Sequence, residues 1–408
     1  MKRPFLISGA IVVITFVLNG QSLVDKKNVL DDLRDVIENI SGSYVYLDQK
    51  ALDLECLHRS YEQKIEGLSN QEDVILFFEY LLDELYDDHV SLNTNINSSY
   101  RLYAPIYAAF EENKAIIQHA WVSEIVNLRS DIPGAEILKL NGVDINEIIA
   151  QFPTQCHDKT HPKVKEWILN KVLAGRYNEP RVLQIKTPNG RLTELDLDIF
   201  EFRNEQSLLS INTQENIGII RINNSLGQNT LIKAFDEALN QQMDTRGLII
   251  DLRNTASGGN SYVARGIMSR FIDEEKPYQK HAFPARWDGE TVVDRSWVEH
   301  VTPRGKQYQK PVVVLVGHWT GSMGEGLAIG FDGMKRGQVV GTEMARLAGE
   351  VNGFSIPNQS FGYQLPTAKL YHVSGQPRET FVPSEYVQQT SNQDETLNYA
   401  IQLLLNSK

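Results

Sequence analysis

Apolar residues recur at three- and four-residue spacing from Val24 to Leu92, in VLDDLRDVIENI and again in VILFFEYLLDELYDDHV, with no proline inside either run. A 3.6-residue period gathers such positions on one face, so residues 22–100 are expected to form a cap of amphipathic helices. Between Tyr103 and Phe200 the pattern changes to short β-rich runs, AIIQHAWV, RVLQIKT and TELDLDIF, separated by Asn-Gly and Pro-Gly turn signals. Residues 101–203 therefore predict a small β-rich module. After Asn204 strands and helices alternate: NIGIIRIN, TLIKAFDEALNQQM, RGLIIDLR, SYVARGIMSRFI, PVVVLVG, GEGLAIGFDGMKR and QVVG. Continuous apolar strands such as GLIIDL and VVVLV suit burial on both faces, so residues 204–408 predict a layered α/β core.

The N-terminus follows none of these patterns. Lys2 and Arg3 precede an apolar run from Phe5 to Leu18, which Asn19-Gly20-Gln21-Ser22 then breaks. The run falls short of the roughly 20 residues that span a bilayer, so residues 1–21 read as a secretory signal peptide. An uncleaved N-terminal anchor is the alternative, and the only route to a membrane that the sequence offers. The body is expected outside the cytoplasm, periplasmic or extracellular.

Composition narrows the class without naming it. At 408 residues the chain is too long for one small domain. Hydrophobic residues at 41%, with 28 Gly and 15 Pro, argue for a globular body over a disordered one. Against 52 acidic residues stand 40 basic ones, a net charge of −12, which disfavours a surface that neutralises nucleic-acid phosphates. Two cysteines, Cys56 and Cys156, with no CxxC pair, argue against a disulfide framework and a structural zinc site. One bridge or two free thiols remain, and no metal or organic cofactor is expected.

Candidate chemistry gathers at two strand-to-helix junctions. In PVVVLVGHWTGSMGEGLAIGF a buried strand ends at Gly317 and a helix starts near Ser322. A hydroxyl there lies beside unsatisfied helix N–H groups, where an oxyanion is stabilised, which makes Ser322 a candidate nucleophile. Ser322 and Glu325 also fit the S-x-x-E capping box, so a plain N-cap is the competing reading. In GLIIDLRNTASGGNSYVARGI, Gly258 and Gly259 allow backbone N–H groups to approach a ligand, or make an ordinary turn. Arg253 is expected to pair with a neighbouring carboxylate or the chain, as structural work.

Several segments, in this order, resemble the tail-specific and tricorn-like serine proteases, which include the carboxyl-terminal processing proteases and the interphotoreceptor retinoid-binding protein repeats. They are LLDELYDDHVSL, PGAEILKLNGVDINEI, NIGIIRI, RGLIIDLRNTASGG, VVVLVGHWTGSMGE, QVVGTE and RETFVPSEYV. The resemblance implies an α/β (α+β) fold: a ClpP/crotonase-like ββα-spiral core with an N-terminal helical cap and a PDZ-like insert. The family's T-x-S-x-x-E serine falls on Ser322, with Thr320 and Glu325 beside it. Where the processing proteases carry a lysine base, this chain has Leu347, which cannot accept a proton. The tricorn-like branch implies instead a histidine at His89 and a glutamate at Glu379, giving a Ser322-His89-Glu379 triad. That branch has a serine where this chain has Asp88. Met323 N–H and an N–H of Gly258 or Gly259 would form the oxyanion hole. His318, four residues before the serine, is the rival base, and a helix-end position is the plain reading of His89.

The segment Ile132–Ile149 reads as strand, Asn141-Gly142 turn and short helix, either a peptide-accepting PDZ-like edge or a structural module. The expected function is an exported serine peptidase acting on peptide or unfolded protein. A non-catalytic ligand- or peptide-binding protein on the same fold is the second reading, and a crotonase-type acyl-thioester enzyme a distant third.

Overall fold

A computed structural model describes residues 24–286 and 292–407, so the expected signal peptide, 1–21, lies outside the described residues. Among the described residues no helix is long and apolar enough to cross a membrane.

Helices Lys26–Ser43, Leu54–Ile65 and Gln71–Asp83 build the N-terminal cap. Side chains of Asp25, Asp53 and Asn70 accept N–H groups of the first turns and fix where each helix starts. The apolar faces enclose Leu33, Ile40, Leu57, Tyr61 and Phe78, together with Tyr363 and Leu365 from a distant strand. The cap is thus closed by the far end of the chain.

The β-rich module is a sheet of Ile106–Glu111, Lys114–Ala120, Glu136–Leu140, Val182–Lys186 and Leu192–Asp196 in that order, with Val143–Asp144 alongside the third strand. The strand and short helix expected near residue 140 are Glu136–Leu140 and Ile145–Ala150, and the Asn141-Gly142 turn leads first into a two-residue strand, Val143–Asp144, that pairs back on Glu136–Leu140. Helix Pro162–Ala174 covers the outer strand Ile106–Glu111. Asn170 accepts the Ala108 N–H at 3.0 Å and donates to the Ala108 carbonyl at 2.8 Å. At that point of the edge, the groups an added peptide strand would need are already bonded.

The core sheet runs Glu385–Tyr386, Gln338–Gly341, Val312–Val316, Gly247–Asp251, Ile217–Ile222, Leu209–Gln214, parallel except for its last pair. Ile220, Leu248, Ile250, Val312 and Val314 pack towards helices Leu231–Gln241, Ser261–Met268 and Met323–Gly333. Ile219, Ile249, Val313 and Leu315 face helix Glu395–Asn406. Both faces are covered, as apolar strands without alternation require.

A third sheet departs from the sequence expectation. Lys276–Arg286 pairs with Val292–Val301 and Gly362–Tyr371, and the last of these also carries Ser91–Leu92 and Glu350–Ser355. It joins the cap to the core: Ser91 and Leu92 lie opposite Gln364 and Tyr363. The module is fastened too. Trp121 and Trp319 stack at 5.0 Å, and their indole N–H groups donate to the carbonyls of Arg253 and Ala104. Cys56 and Cys156 form a disulfide between the second cap helix and the module. Nearby, Glu84 accepts the N–H groups of Gln155 and Cys156, and Lys171 pairs with buried Asp83 at 2.9 Å.

Candidate active site

The serine side is built from the two junctions singled out above. Val312–Val316 and Gly247–Asp251 are neighbours in the core sheet, so their following loops emerge together, and Thr255 and Thr320 form a bridge between them. Thr320 Oγ1 donates to the Leu252 carbonyl and accepts the Gly317 N–H. Arg253 pairs with Asp251 and with Asp394, the N-cap of the last helix, which is the structural work expected of it. At the tip Ser322 has φ 49° and ψ −110°, an uncommon backbone for a residue with a side chain. Glu325 Oε2 accepts the Ser322 N–H at 2.9 Å, so the helix start is capped by the carboxylate. Gly258 packs so closely that a methyl group there would lie 2.4 Å from Ser322 Cβ, and its φ of +65° also favours glycine.

The histidine side comes from the cap. His89 follows the third cap helix, where Asp87 accepts its N–H and Gln364 donates to its carbonyl. Tyr44 donates to Asp87 at 2.7 Å, which orients that carboxylate in turn. His89 is 5% exposed. Its Nε2 meets Ser322 Oγ at 3.1 Å across 233 residues of sequence, and its Nδ1 meets the Ala348 carbonyl at 2.8 Å. A carbonyl only accepts, so Nδ1 carries the proton and Nε2 presents its lone pair to the hydroxyl. Burial, and then the nearby Arg378 guanidinium, push the imidazole down to about 4, opposed by the Ala348 carbonyl and Asp87. At neutral pH the ring is uncharged and able to accept a proton.

Ser322 and His89 are therefore brought together, whereas Glu379 does not meet His89. The strap 346–349 supplies the Nδ1 partner, and the Glu379 carboxylate faces Tyr46, whose phenol burial and that carboxylate both push up. Of the expected oxyanion donors, Gly258 N–H is already given to the Thr255 carbonyl at 2.9 Å. Among the described residues Met323 N–H and Gly259 N–H have no acceptor. The rival base, His318, stacks on Tyr107 at 4.0 Å and near His119, in the interface with the module. Leu347 donates its N–H to Glu325 and leaves no cation where the processing proteases have one. No cluster that could hold a metal occurs among the described residues.

Sequence reasoning missed Asp87, Gln364 and Arg378, and above all the Ala348 carbonyl. A backbone acceptor has no residue type to betray it. Arg378 stood beside Glu379 in RETFVP, and its near-total burial was the missing signal.

Residues 216–384, which include the serine junction and the strap, match peptidase family S41. No curated protein matches the chain significantly. Among solved structures the chain is similar to mature CPAF complexed with lactacystin, at 16% identity and a TM-score of 0.61 over 93% of this chain and 97% of that one. It is similar to a candidate peptidase from Parabacteroides merdae, at 14% identity and TM-score 0.55 over 94% and 98%. It is also similar to the photosystem II D1 C-terminal processing protease, at 12% identity and TM-score 0.52 over 90% and 93%. At such identities the likeness concerns the fold.

Proposed function

We propose that the chain, whose residues 216–384 match peptidase family S41, is a serine-type peptidase that cleaves peptide bonds through an acyl-enzyme on Ser322. Ser322 Oγ attacks the scissile carbonyl while His89 Nε2 takes its proton. The tetrahedral oxyanion is held by Met323 N–H and Gly259 N–H. The C–N bond breaks as His89 returns the proton to the leaving amine, and water, activated by the same ring, releases the acyl group. The observation that carries this reading is the 3.1 Å contact between His89 Nε2 and Ser322 Oγ. A neutral ring with its proton on the far nitrogen supports it further.

The substrate is peptide or unfolded protein, and the protein works outside the cytoplasm. The Cys56–Cys156 bridge favours an oxidising compartment, in keeping with the basic-then-apolar N-terminus. The test is to incubate purified protein with a reduced, unfolded polypeptide and map new termini by mass spectrometry. Cleavage abolished by Ser322→Ala is expected, and equal cleavage by that variant would refute the assignment. Cell fractionation with N-terminal sequencing checks export: a mature chain beginning near residue 22 outside the cytoplasm is expected.

A further inference from the structure

His89 holds the orientation a base needs without a carboxylate on Nδ1, so something must fix the carbonyl that replaces it. That carbonyl belongs to Ala348, in the strap 346–349, which leads from the core strand Gln338–Gly341 to the edge strand Glu350–Ser355. Backbone carbonyls in loops move readily unless they are tied. Here the ties flank Ala348 on both sides. Arg378 Nη2 donates to the Leu347 carbonyl at 2.8 Å and to the Gly349 carbonyl at 3.0 Å. Glu325 Oε2 accepts the Leu347 N–H at 3.2 Å while also holding the Ser322 N–H at 2.9 Å. One carboxylate therefore spans the nucleophile and the strap. Arg378 and Glu325 lie 3.8 Å apart, 2% and 0% exposed. Gly349 completes the arrangement: its φ is +63°, and a Cβ there would come within 2.5 Å of the Ala368 carbonyl.

Burying two opposite charges costs several kcal/mol per ion before their attraction is counted, so a buried pair is weak evidence of a role in stability. What this pair does uniquely is hold three backbone groups around Ala348. We infer that Arg378 and Glu325 are positioning residues of this peptidase, clamping the strap so that the Ala348 carbonyl fixes the tautomer and angle of His89. The inference rests on reading Ser322 and His89 as the reacting pair. It gives the task usually assigned to a triad carboxylate to a backbone carbonyl held by an ion pair.

The test uses the full chain and an alkyl fluorophosphonate, whose saturation kinetics separate binding from the rate of serine modification. Arg378→Gln should lower the maximal modification rate about 100-fold, the scale of a misplaced catalytic group, and leave probe affinity unchanged. Arg378→Lys, which keeps the charge but not the planar fork, should recover part of that rate. The pH profile supplies a readout that a merely structural role would not move. In the wild type the rate should fall in two steps as pH drops. Through about 7 Glu325, its carboxyl pushed up by burial against the opposing Arg378 guanidinium, takes up a proton and loosens the clamp. The acid limb, through about 4, is the protonation of His89. The groups acting on His89 are Arg378 from the C-terminal segment, Asp87 from its own turn, and the strap carbonyls of Ala348 and Gly349. Loss of the guanidinium removes a charge that opposes protonation, so in Arg378→Gln the acid limb should move to higher pH. Should that variant not fold, Arg378→Lys and Glu325→Gln carry the test, each with a lowered maximal rate and unchanged affinity.

Wild-type rates and an unmoved acid limb in folded Arg378 and Glu325 variants would overturn the inference. So would a loss confined to Glu379→Gln, which would restore the carboxylate to His89. Full labelling of His89→Ala would instead overturn the underlying reading of the reacting pair.

Discussion

The two halves of the site are made differently. The serine half is local: two neighbouring strands end, two loops emerge, and a helix starts on the nucleophile within ten residues of Val312–Val316. The histidine half is assembled from afar, with a ring from residue 89, a carbonyl from 348, a guanidinium from 378 and a carboxamide from 364. The first half is fixed by sheet register and close glycine packing, and should survive changes elsewhere. The second depends on how cap, strap and C-terminal segment meet. A change confined to one half should leave the other standing.

The largest effects belong to the reacting pair. Ser322→Ala and His89→Ala should each lower peptide cleavage by about 10⁴-fold or more without unfolding the chain, measured with a fluorogenic peptide alongside circular dichroism. The serine half alone is struck by Gly258→Ala, because the new methyl group would overlap Ser322 Cβ. A loss of about 100-fold is expected while the cap stays folded. Wild-type activity in that variant would mean the loop has room that the close packing denies.

The histidine half is struck at long range by removing the disulfide. Cys56 and Cys156 are separated by 100 residues, and closing a loop of that length is worth about 4–5 kcal/mol in the chain-entropy account. Cys56→Ser with Cys156→Ser should lower the denaturation midpoint accordingly, measured in guanidinium. Cleavage per folded molecule should be kept, since neither cysteine touches the site.

The smallest effect concerns the His119–His318–Tyr107 stack. Burial pushes His119 down to about 4 and His318 to about 3. With native values below the unfolded value near 6.5, the unfolded chain binds more protons in that interval. Stability should therefore hold above about pH 6.5 and decline as pH falls towards 4. His318→Phe should flatten that slope in urea titrations at pH 7 and pH 5, and leave the acid limb of serine modification in place.

Legibility in the sequence divides along the same line. Ser322, Glu325 and the Gly loop stood out because apolar strand, glycine and S-x-x-E follow one another within a few residues. His89 was found through the family resemblance, since its place after an amphipathic helix spoke only for a plain helix-end residue. The α/β core followed from strands without alternation, and the cap from helical periodicity. The antiparallel sheet was hidden for a physical reason. Lys276–Arg286 contains Pro277 and Pro284, which depress any strand reading, and the register shifts just after Pro277. Its partner Val292–Val301 is exposed along most of its length, so no buried face imposes a period of two. Glu379 was drawn into the triad by its place in the family's motif, where a carboxylate is the residue type expected. The Ala348 carbonyl that takes its place could have been offered by any residue.

The central claim is that Ser322 reacts and His89 activates it. The direct measurement is intact-protein and peptide mass spectrometry after treatment with an alkyl fluorophosphonate at pH 7. The account predicts one adduct per chain, localised to Ser322, lost in Ser322→Ala and strongly slowed in His89→Ala but not in His318→Phe. An adduct that persists in Ser322→Ala, or a folded wild-type protein that takes none, would contradict it.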